Sequence, residues 1–237
     1  MKREKSLKPA AQAKDAQQKG VARTRSDRGA ETRAQLIDAA LEIFGRLGYE
    51  GATTRQIAKA ANANLAAIVY HFGSKEALHL AVAEHVARSI LTKIGPTLAT
   101  IAAPEATATP EAARAALHRL IGTITDTLLG TAEAELWARF IVREQLQPTA
   151  AFDVIYGFME NAMTTALHIV TTILGVPEDE EIRLRTITVL GQILVFRVAQ
   201  TLVLRRMKWT AIGDGERAVI KQVILQNLDA ILEGTKP

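Results

Sequence analysis

A short apolar segment with polar residues at both ends contains the side chains best suited to recognising another molecule. In "NLAAIVYHFGSK", Asn64 precedes Ala66 and Ala67, and Tyr70 and His71 follow them. Two alanines leave one side of a helix bare, so that side can approach the base edges in the major groove of DNA. Asn64 can bond to a base edge or a phosphate, and Tyr70 and His71 can reach phosphates. The pattern indicates contact with duplex DNA.

Residues on either side of the segment would extend such a surface. Lys75 would bring a positive charge to the start of the next helix, and the first turns of neighbouring helices can donate backbone N–H groups to phosphate. Leu65, Ile68 and Phe72 are expected to hold the segment on other helices. Taken alone, each polar residue here would more often be a helix cap, a half-buried aromatic or a surface histidine. The full set predicted to contact DNA is Thr53, Thr54, Arg55, Asn64, Leu65, Ala66, Ala67, Tyr70, His71 and Lys75.

The surrounding sequence has helical spacing that would position this surface. Residues 31–51 form a first helix with one apolar side, and glycines end it. Thr53 or Thr54 can cap a second helix, Asn64 a third and Ser74 a fourth. Two short helices joined by a tight turn, between two longer ones, have the spacing of a helix-turn-helix motif. The second short helix of that motif enters the major groove.

The block "TRAQLIDAALEIFGRLGYEGATTRQIAKAANANLAAIVYHFGSKEAL" resembles the DNA-binding domain of the TetR family of bacterial transcriptional regulators. The similarity covers residues 31–80. It depends on "GY" after the first helix, "TT" at the start of the second, "YHF" at the end of the third and "SKEAL" at the start of the fourth. Asn62 stands where glycine is usual in the turn, and Ile68-Val69 replaces a leucine–aromatic pair. The resemblance implies a sequence-specific DNA-binding protein.

Helical patterns continue to the end of the chain. The stretch "GPTLATIAAPEATATPEAA" that follows the fourth helix is rich in Ala, Thr and Pro and is expected to be a helix end with a loop. No segment shows the alternation typical of strands. We therefore predict an all-α, TetR-like chain of about nine helices, with a three-helix helix-turn-helix domain followed by a helical bundle that dimerises. The later helices are expected at 111–129, 132–144, 151–174, 178–207 and 216–232.

The run "ITVLGQILVFRVAQTLVL" is about as long as a membrane span. Gln192, Arg197 and Gln200 interrupt it, so we expect a bundle helix that also serves a subunit interface and no contact with a membrane. A buried arginine requires a partner. Arg197 is expected either in an ion pair at the interface or opposite a carboxylate of a ligand.

The segments "RFIVREQLQPTAAFDVIY" and "GQILVFRVAQTLVLRRMKW" resemble the C-terminal domain of one TetR subgroup. The resemblance implies a small effector held among the middle helices and a homodimer formed through 178–207 and 216–232. The aromatic, methionine and arginine side chains of these helices form either the wall of an apolar pocket or ordinary core. The predicted effector contacts are Trp137, Phe140, Arg143, Tyr156, Met159, Phe196 and Arg197.

Composition narrows the classes of function. The absence of cysteine excludes disulfides and thiolate catalysis, and no glycine-rich phosphate loop, nucleophile motif or metal-ligand pair is present. We therefore predict no enzyme, no cofactor and no metal. Residues 1–30 contain nine Lys or Arg against three Asp or Glu. This basic arm is either a solvated leader or an arm that follows nucleic acid, and it lacks the apolar core of a secretory signal.

The predicted domains are a basic disordered arm (1–28), a DNA-binding domain (29–76) and an effector-binding and dimerisation domain (77–237). We expect a cytoplasmic TetR-type regulator that binds a palindromic operator in double-stranded DNA as a homodimer. A small-molecule effector is expected to release this repressor from its operator. The alternative is an effector-independent DNA-binding or architectural protein.

Overall fold

The computed structural model of the protein describes residues 25–234, and most of the predicted basic arm lies outside them. Residues 25–28 of that arm form the first turn of α1. The described chain forms ten α-helices and one short 3-10 turn, Pro104–Thr107, and contains no strand. The helices are α1 (Arg25–Gly51), α2 (Thr54–Ala60), α3 (Leu65–Phe72), α4 (Lys75–Ile101), α5 (Pro110–Leu129), α6 (Ala132–Leu146), α7 (Ala150–Leu174), α8 (Glu180–Val198), α9 (Gln200–Met207) and α10 (Asp214–Glu233).

A first core joins the four N-terminal helices to α6 and to the start of α7. Phe44 of α1, Ile57 of α2, Ile68 of α3 and Leu78 of α4 are all buried in it, and Phe140 of α6 packs among them. Full burial of one such side chain contributes roughly 1.5–3 kcal/mol. The predicted boundary between 76 and 77 falls in the first turn of α4, so this helix continues from the helix-turn-helix into the rest of the molecule.

α1 is interrupted at Gly48, where the backbone has φ 73° and ψ 174°. This region of conformational space is essentially restricted to glycine. The change of direction brings the ring of Tyr49 to 4.8 Å from the ring of His79 on α4, measured between centroids. Ala52, just beyond the kink, is buried in the same core.

A second core is formed by α5, α7, α8 and α10. Leu120, Ile169, Ile193 and Ile224 are almost completely buried in it. A polar cluster at its edge connects α5 to α10, because Asp229 accepts hydrogen bonds from Arg114 at 2.6 Å and from His118 at 2.9 Å.

α4 continues through Pro96 to Ile101 and is followed by a short 3-10 turn, so the Ala/Thr/Pro-rich stretch is the helix end with a loop that was expected. A proline inside a helix removes one backbone hydrogen bond. Ile94 and Ile101 are buried on either side of it, and the hydroxyl of Thr97 lies 3.0 Å from that of Thr123 on α5. We attribute the continuation to this packing, which lies outside the reach of local sequence patterns.

The single helix expected over 178–207 is two helices, α8 and α9, which meet at Ala199 with a bend of 74°. No single helix among residues 25–234 is long and apolar enough to cross a membrane. α8 and α9 satisfy that test only when their lengths are combined across the bend.

Candidate DNA-binding surface

α2 begins with a closed set of hydrogen bonds. The hydroxyl oxygen of Thr53 accepts the Gln56 N–H at 3.2 Å, and the Gln56 side-chain oxygen accepts both the N–H and the hydroxyl of Thr53 at 2.8 Å. This reciprocal arrangement is a capping box. Thr53 is therefore occupied within its own turn, and Thr54 is half-buried, whereas Arg55 is exposed. Of these three predicted contacts, Arg55 is the one whose side chain can reach out from the helix.

The turn between α2 and α3 is held by two asparagines. Asn62 has φ 49°, a left-handed conformation that asparagine tolerates better than most residues. This explains how asparagine serves at a position where the resemblance implies glycine. Asn64 is the N-cap of α3, and its side-chain oxygen accepts the Ala66 N–H at 3.0 Å. Its amide nitrogen has no hydrogen-bond role in that cap.

α3 has one buried side and one open side. Ile68 is 1% exposed and anchors the helix, and Phe72 and Ala67 pack beside it. Leu65 was expected to pack inward, but it is 45% exposed and faces away from the core. Ala66 is exposed on the same open side.

Two further α3 side chains project from the open side. Tyr70 is 84% exposed, as a DNA contact requires, and Val69 is 65% exposed. Sequence reasoning did not include Val69 among the contacts. Its position three residues after Ala66, which was assigned to the bare side, was the available signal, since residues i and i+3 share one side of a helix. Apolar side chains at this place can contact the methyl group of thymine.

The positive charges around α3 are held by aromatic rings. The ammonium group of Lys75 lies 4.2 Å from the centroid of the Tyr49 ring, and the guanidinium group of Arg33 lies 5.0 Å from that of Phe72. His71 is half-buried with its ring edge against Tyr70 at 4.9 Å. Phe72 is the last residue of α3 and Lys75 follows it by three residues, so these contacts hold positive charge near the C-terminal end of α3. Lys59, in the last turn of α2, is a further exposed cation.

A buried polar cluster connects the first core to the start of α7. Glu144 of α6 accepts the N–H and hydroxyl of Thr149 at 3.1 and 2.9 Å. Its other oxygen lies 3.3 Å from Nε2 of His79. Within residues 25–234 that nitrogen has no hydrogen-bond partner with acceptable geometry. Burial, with a smaller contribution from the charge of Lys75, lowers the pKa of His79 to about 4. Sequence reasoning missed this cluster.

The predicted effector contacts occupy four different places. Trp137 and Phe140 are buried in the first core, and the indole N–H of Trp137 has no hydrogen-bond partner among the described residues. Tyr156 and Met159 are exposed on α7, and Phe196 packs against the second core. The two arginines, Arg143 and Arg197, line one groove between α1, α6 and the α8–α9 bend, and none of the other five predicted contacts is part of its lining.

Arg197 has partners that the sequence did not suggest. Its Nε–H donates to the backbone carbonyl oxygen of Leu128 at 2.7 Å, and a second guanidinium nitrogen donates to that of Thr131 at 3.4 Å. The Leu128 carbonyl lies at the C-terminal end of α5, where cations are favoured by the helix dipole, and Thr131 is the N-cap of α6. Burial lowers the pKa of Arg197, and the charge of Glu135 acts in the opposite direction. Neither an interface ion pair nor a ligand is needed to satisfy this side chain.

A cavity inside the second core has a volume of only about 10 Å³ and is lined by residues that include Val170, Val189 and Leu228. It has room for about one water molecule. The groove beside Arg143 and Arg197 is much larger, with a volume of about 480 Å³.

Comparisons with known proteins agree with this geometry. Residues 36–82 match the family model of bacterial regulatory proteins of the TetR family, and residues 113–235 match that of the C-terminal domain of the HTH-type transcriptional dual regulator CecR. The chain is 35% identical over 212 residues to CecR of Shigella flexneri, which covers 87% of this chain and 94% of that protein.

Two other proteins are similar over a smaller part of the sequence or in fold alone. The HTH-type transcriptional repressor NicS of Pseudomonas putida is 39% identical over 67 residues, 28% of this chain and 30% of that one. The crystal structure of the TetR family regulator PfmR from Thermus thermophilus has a TM-score of 0.57 and 17% identity, over 85% of this chain and 99% of that one. The similarity to PfmR is a similarity of fold alone.

Proposed function

The chain belongs to the TetR family of bacterial transcriptional regulators, a non-enzymatic class, and from this premise we propose that it is a repressor released from its operator by a small-molecule effector. The open side of α3 is the observation that carries this proposal. It presents Asn64, Leu65, Ala66, Val69 and Tyr70 on a helix fixed by a cap and a buried anchor. A regulator of this type acts on the chromosome, so a cytoplasmic location is part of the proposal.

We propose direct readout by α3 and backbone contacts by its neighbours. The bare surface at Ala66 lets the helix approach the groove floor, while Leu65 and Val69 are placed for thymine methyl groups. Arg55, Tyr70, His71 and Lys75 would contact phosphates and fix the orientation of the helix, as most protein–DNA hydrogen bonds do.

A homodimer is the second part of the proposal. α8 exposes Leu184, Ile187 and Val195, and α10 exposes Val219 and Val223, each between 42% and 57%. Apolar stripes on two helices can form a four-helix interface across a two-fold axis. The two α3 helices would then read a palindrome whose half-sites are about 34–36 Å apart.

The dimer proposal is tested by a charge in the stripe. Ile187→Glu should give a monomer by light scattering and lose binding to the palindrome, because burying an unpaired carboxylate is costly. Phe158→Glu places the same charge on an exposed apolar residue of α7 and should leave the dimer intact. Two variants that remain equally dimeric would contradict the interface.

DNA binding is tested by selecting fragments from random duplexes and measuring their affinity by fluorescence anisotropy. Tyr70→Ala should weaken binding, and Tyr156→Ala, which removes an exposed tyrosine of α7, should not. Lys75→Gln should reduce the slope of log affinity against log salt by about one unit. Lys93→Gln is its matched control, because Lys93 also lies over an aromatic ring, that of Trp137 at 5.7 Å. Equal effects within each pair would refute the proposed surface.

An effector-independent DNA-binding protein is the second candidate. The observation that favours it is the very small volume of the cavity in the second core.

Repression is distinguished from activation by the direction in which expression changes. Deletion of the gene should raise expression from a promoter that carries the selected site. A fall would indicate activation by a protein that resembles a dual regulator.

A further inference from the structure

The groove between α1, α6 and the α8–α9 bend is larger than a packing defect. Its volume of about 480 Å³ lies within the range of small-molecule sites. α6 contributes Arg139, Val142, Arg143 and Leu146 to its lining, and the α8–α9 bend contributes Arg197 and Val198.

The charge of the groove is predominantly positive, with three arginines against one glutamate. Each arginine is held in place on one side. Arg139 pairs with Glu135, Arg143 donates to the carbonyl oxygen of Arg46 at 3.0 Å, and Arg197 donates to the end of α5. A guanidinium group has five N–H donors, so each keeps donors beyond these bonds. Arginines already fixed in position lose little entropy when they bind an anion.

The groove also exposes more apolar surface than a purely polar ligand would need. Leu146 is 72% exposed and Val198 is 61% exposed, and Val142 and Leu204 lie with them in the lining. Large aliphatic side chains this exposed, gathered around a concave surface, are typical of a binding site.

We infer that this groove binds a small amphipathic carboxylate, with the anionic group on Arg139, Arg143 and Arg197 and the apolar body against Val142, Leu146 and Val198. The inference rests on the proposed effector-controlled function and names the class of effector. The chemistry follows from the lining, since fixed guanidinium groups recognise carboxylates by paired hydrogen bonds and the aliphatic wall excludes a fully hydrated ion.

The site also touches the DNA-binding helices. The bond from Arg143 ends on Arg46, in the last turns of α1 before the kink at Gly48. A carboxylate can use the N–H donors of Arg143 that remain beyond this bond. A ligand in the groove would therefore contact the side chain that connects α6 to α1.

The experiment uses the full chain with octanoate as the probe and octan-1-ol as its neutral counterpart. Isothermal titration without DNA should show octanoate binding and at least about tenfold weaker binding of the alcohol, because the alcohol cannot make charge-assisted hydrogen bonds with the arginines. Octanoate that does not bind at millimolar concentration, or binds no better than the alcohol, overturns the inference.

Matched variants locate the site. Arg139 and Arg183 are both 56% exposed and each pairs with a nearby glutamate, but only Arg139 lies in the groove. Arg139→Gln should weaken octanoate binding several-fold and Arg183→Gln should leave it unchanged. Val198→Glu, at an exposed position, should abolish binding without affecting the fold, which far-UV circular dichroism checks. Equal affinity for all three variants overturns the site.

The two proposals fail in different ways. Octanoate binding is measured without DNA, and DNA binding is measured without octanoate. If the α3 variants leave DNA affinity unchanged while the groove variants alter octanoate affinity, the DNA surface fails and the ligand site stands. If octanoate does not bind while Tyr70→Ala weakens DNA binding, the ligand site alone fails.

Discussion

His79 makes a specific prediction about acid sensitivity. Its ring is 2% exposed and is surrounded by Phe44, Tyr49 and Phe140, with centroid separations of 4.4, 4.8 and 5.2 Å. Burial lowers its pKa from 6.5 to about 4, so the folded protein holds the imidazole neutral. An unfolded chain takes up this proton near pH 6.5. The free energy of unfolding should therefore fall as the pH drops from 6.5 towards 4.

The size of this fall in the free energy of unfolding follows from the pKa of His79 in the unfolded chain and its pKa in the folded protein. Each pKa unit corresponds to about 1.4 kcal/mol, so the complete difference is about 3 kcal/mol. At pH 4.5 most of it, about 2.5 kcal/mol, has been lost relative to neutral pH. Such a loss is a large fraction of the stability of a typical domain.

The assay compares urea unfolding of the wild type with that of His79→Gln from about pH 7.5 to about pH 4.5. Other groups titrate in this range in both proteins, and the fixed cost of the substitution is the same at each pH. The change in the difference between the two proteins therefore isolates His79. We expect the wild type to lose about 2.5 kcal/mol relative to the variant.

The carboxylate of Glu144 acts against the lowered pKa of His79. Its carboxylate lies 3.3 Å from Nε2 of His79, and this charge would favour the imidazolium form. Two hydrogen bonds from Thr149 already occupy the other oxygen, and the Nε2 contact lacks hydrogen-bond geometry. We therefore expect desolvation to dominate. A difference that does not change with pH, or a wild type that gains stability in acid relative to His79→Gln, would refute this order of effects.

Three further substitutions test local features by urea unfolding. Gly48→Ala should lower the free energy of unfolding by about 1–3 kcal/mol, because a φ of 73° is strained for residues other than glycine. Gly157→Ala, in an open part of α7, should be neutral or slightly stabilising. Equal effects of the two substitutions would contradict the strain at Gly48. Asn64→Ala should lower the free energy of unfolding by about 1 kcal/mol because it removes the N-cap of α3, and Asn64→Asp should retain the cap and the stability. Equal stability of these two variants would contradict the role of Asn64 as a cap. Arg197→Met should lower the free energy of unfolding by about 1.5–3 kcal/mol, because the carbonyl oxygen of Leu128 loses its hydrogen-bond donor. An unchanged midpoint of urea unfolding would show that water replaces the guanidinium group.

The helix-turn-helix could be predicted closely because its signals are local. Thr53, Asn64 and Ser74 each cap the helix that sequence reasoning assigned to them, and each accepts a backbone N–H within two or three residues. Capping depends on residue type and spacing alone, so it is visible in a sequence. The packing role predicted for Leu65 was wrong, because its side chain is 45% exposed, and apolar character alone does not show which residues of α3 lie against another helix.

The arrangement of the helices after α4 depends on contacts between residues that are far apart in the sequence. The bond from Arg197 to Leu128 joins residues 69 positions apart, and that from Arg143 to Arg46 joins residues 97 apart. No periodicity encodes such pairs. The break between α8 and α9 at Ala199 falls in a run without proline, where helix propensity alone predicts continuation.

α6 connects the two proposals physically. One side of this helix places Trp137, Phe140 and Glu144 in the first core with α1, and the other side presents Arg139 and Arg143 to the groove. Packed cores have discrete arrangements and do not deform continuously, so a ligand that displaces α6 must also move α1. The ligand shifts the equilibrium only by the difference in its affinity for the two arrangements. A tenfold loss of DNA affinity requires about 1.4 kcal/mol, which one charge-assisted hydrogen bond made to the ligand in only one of the two arrangements can supply.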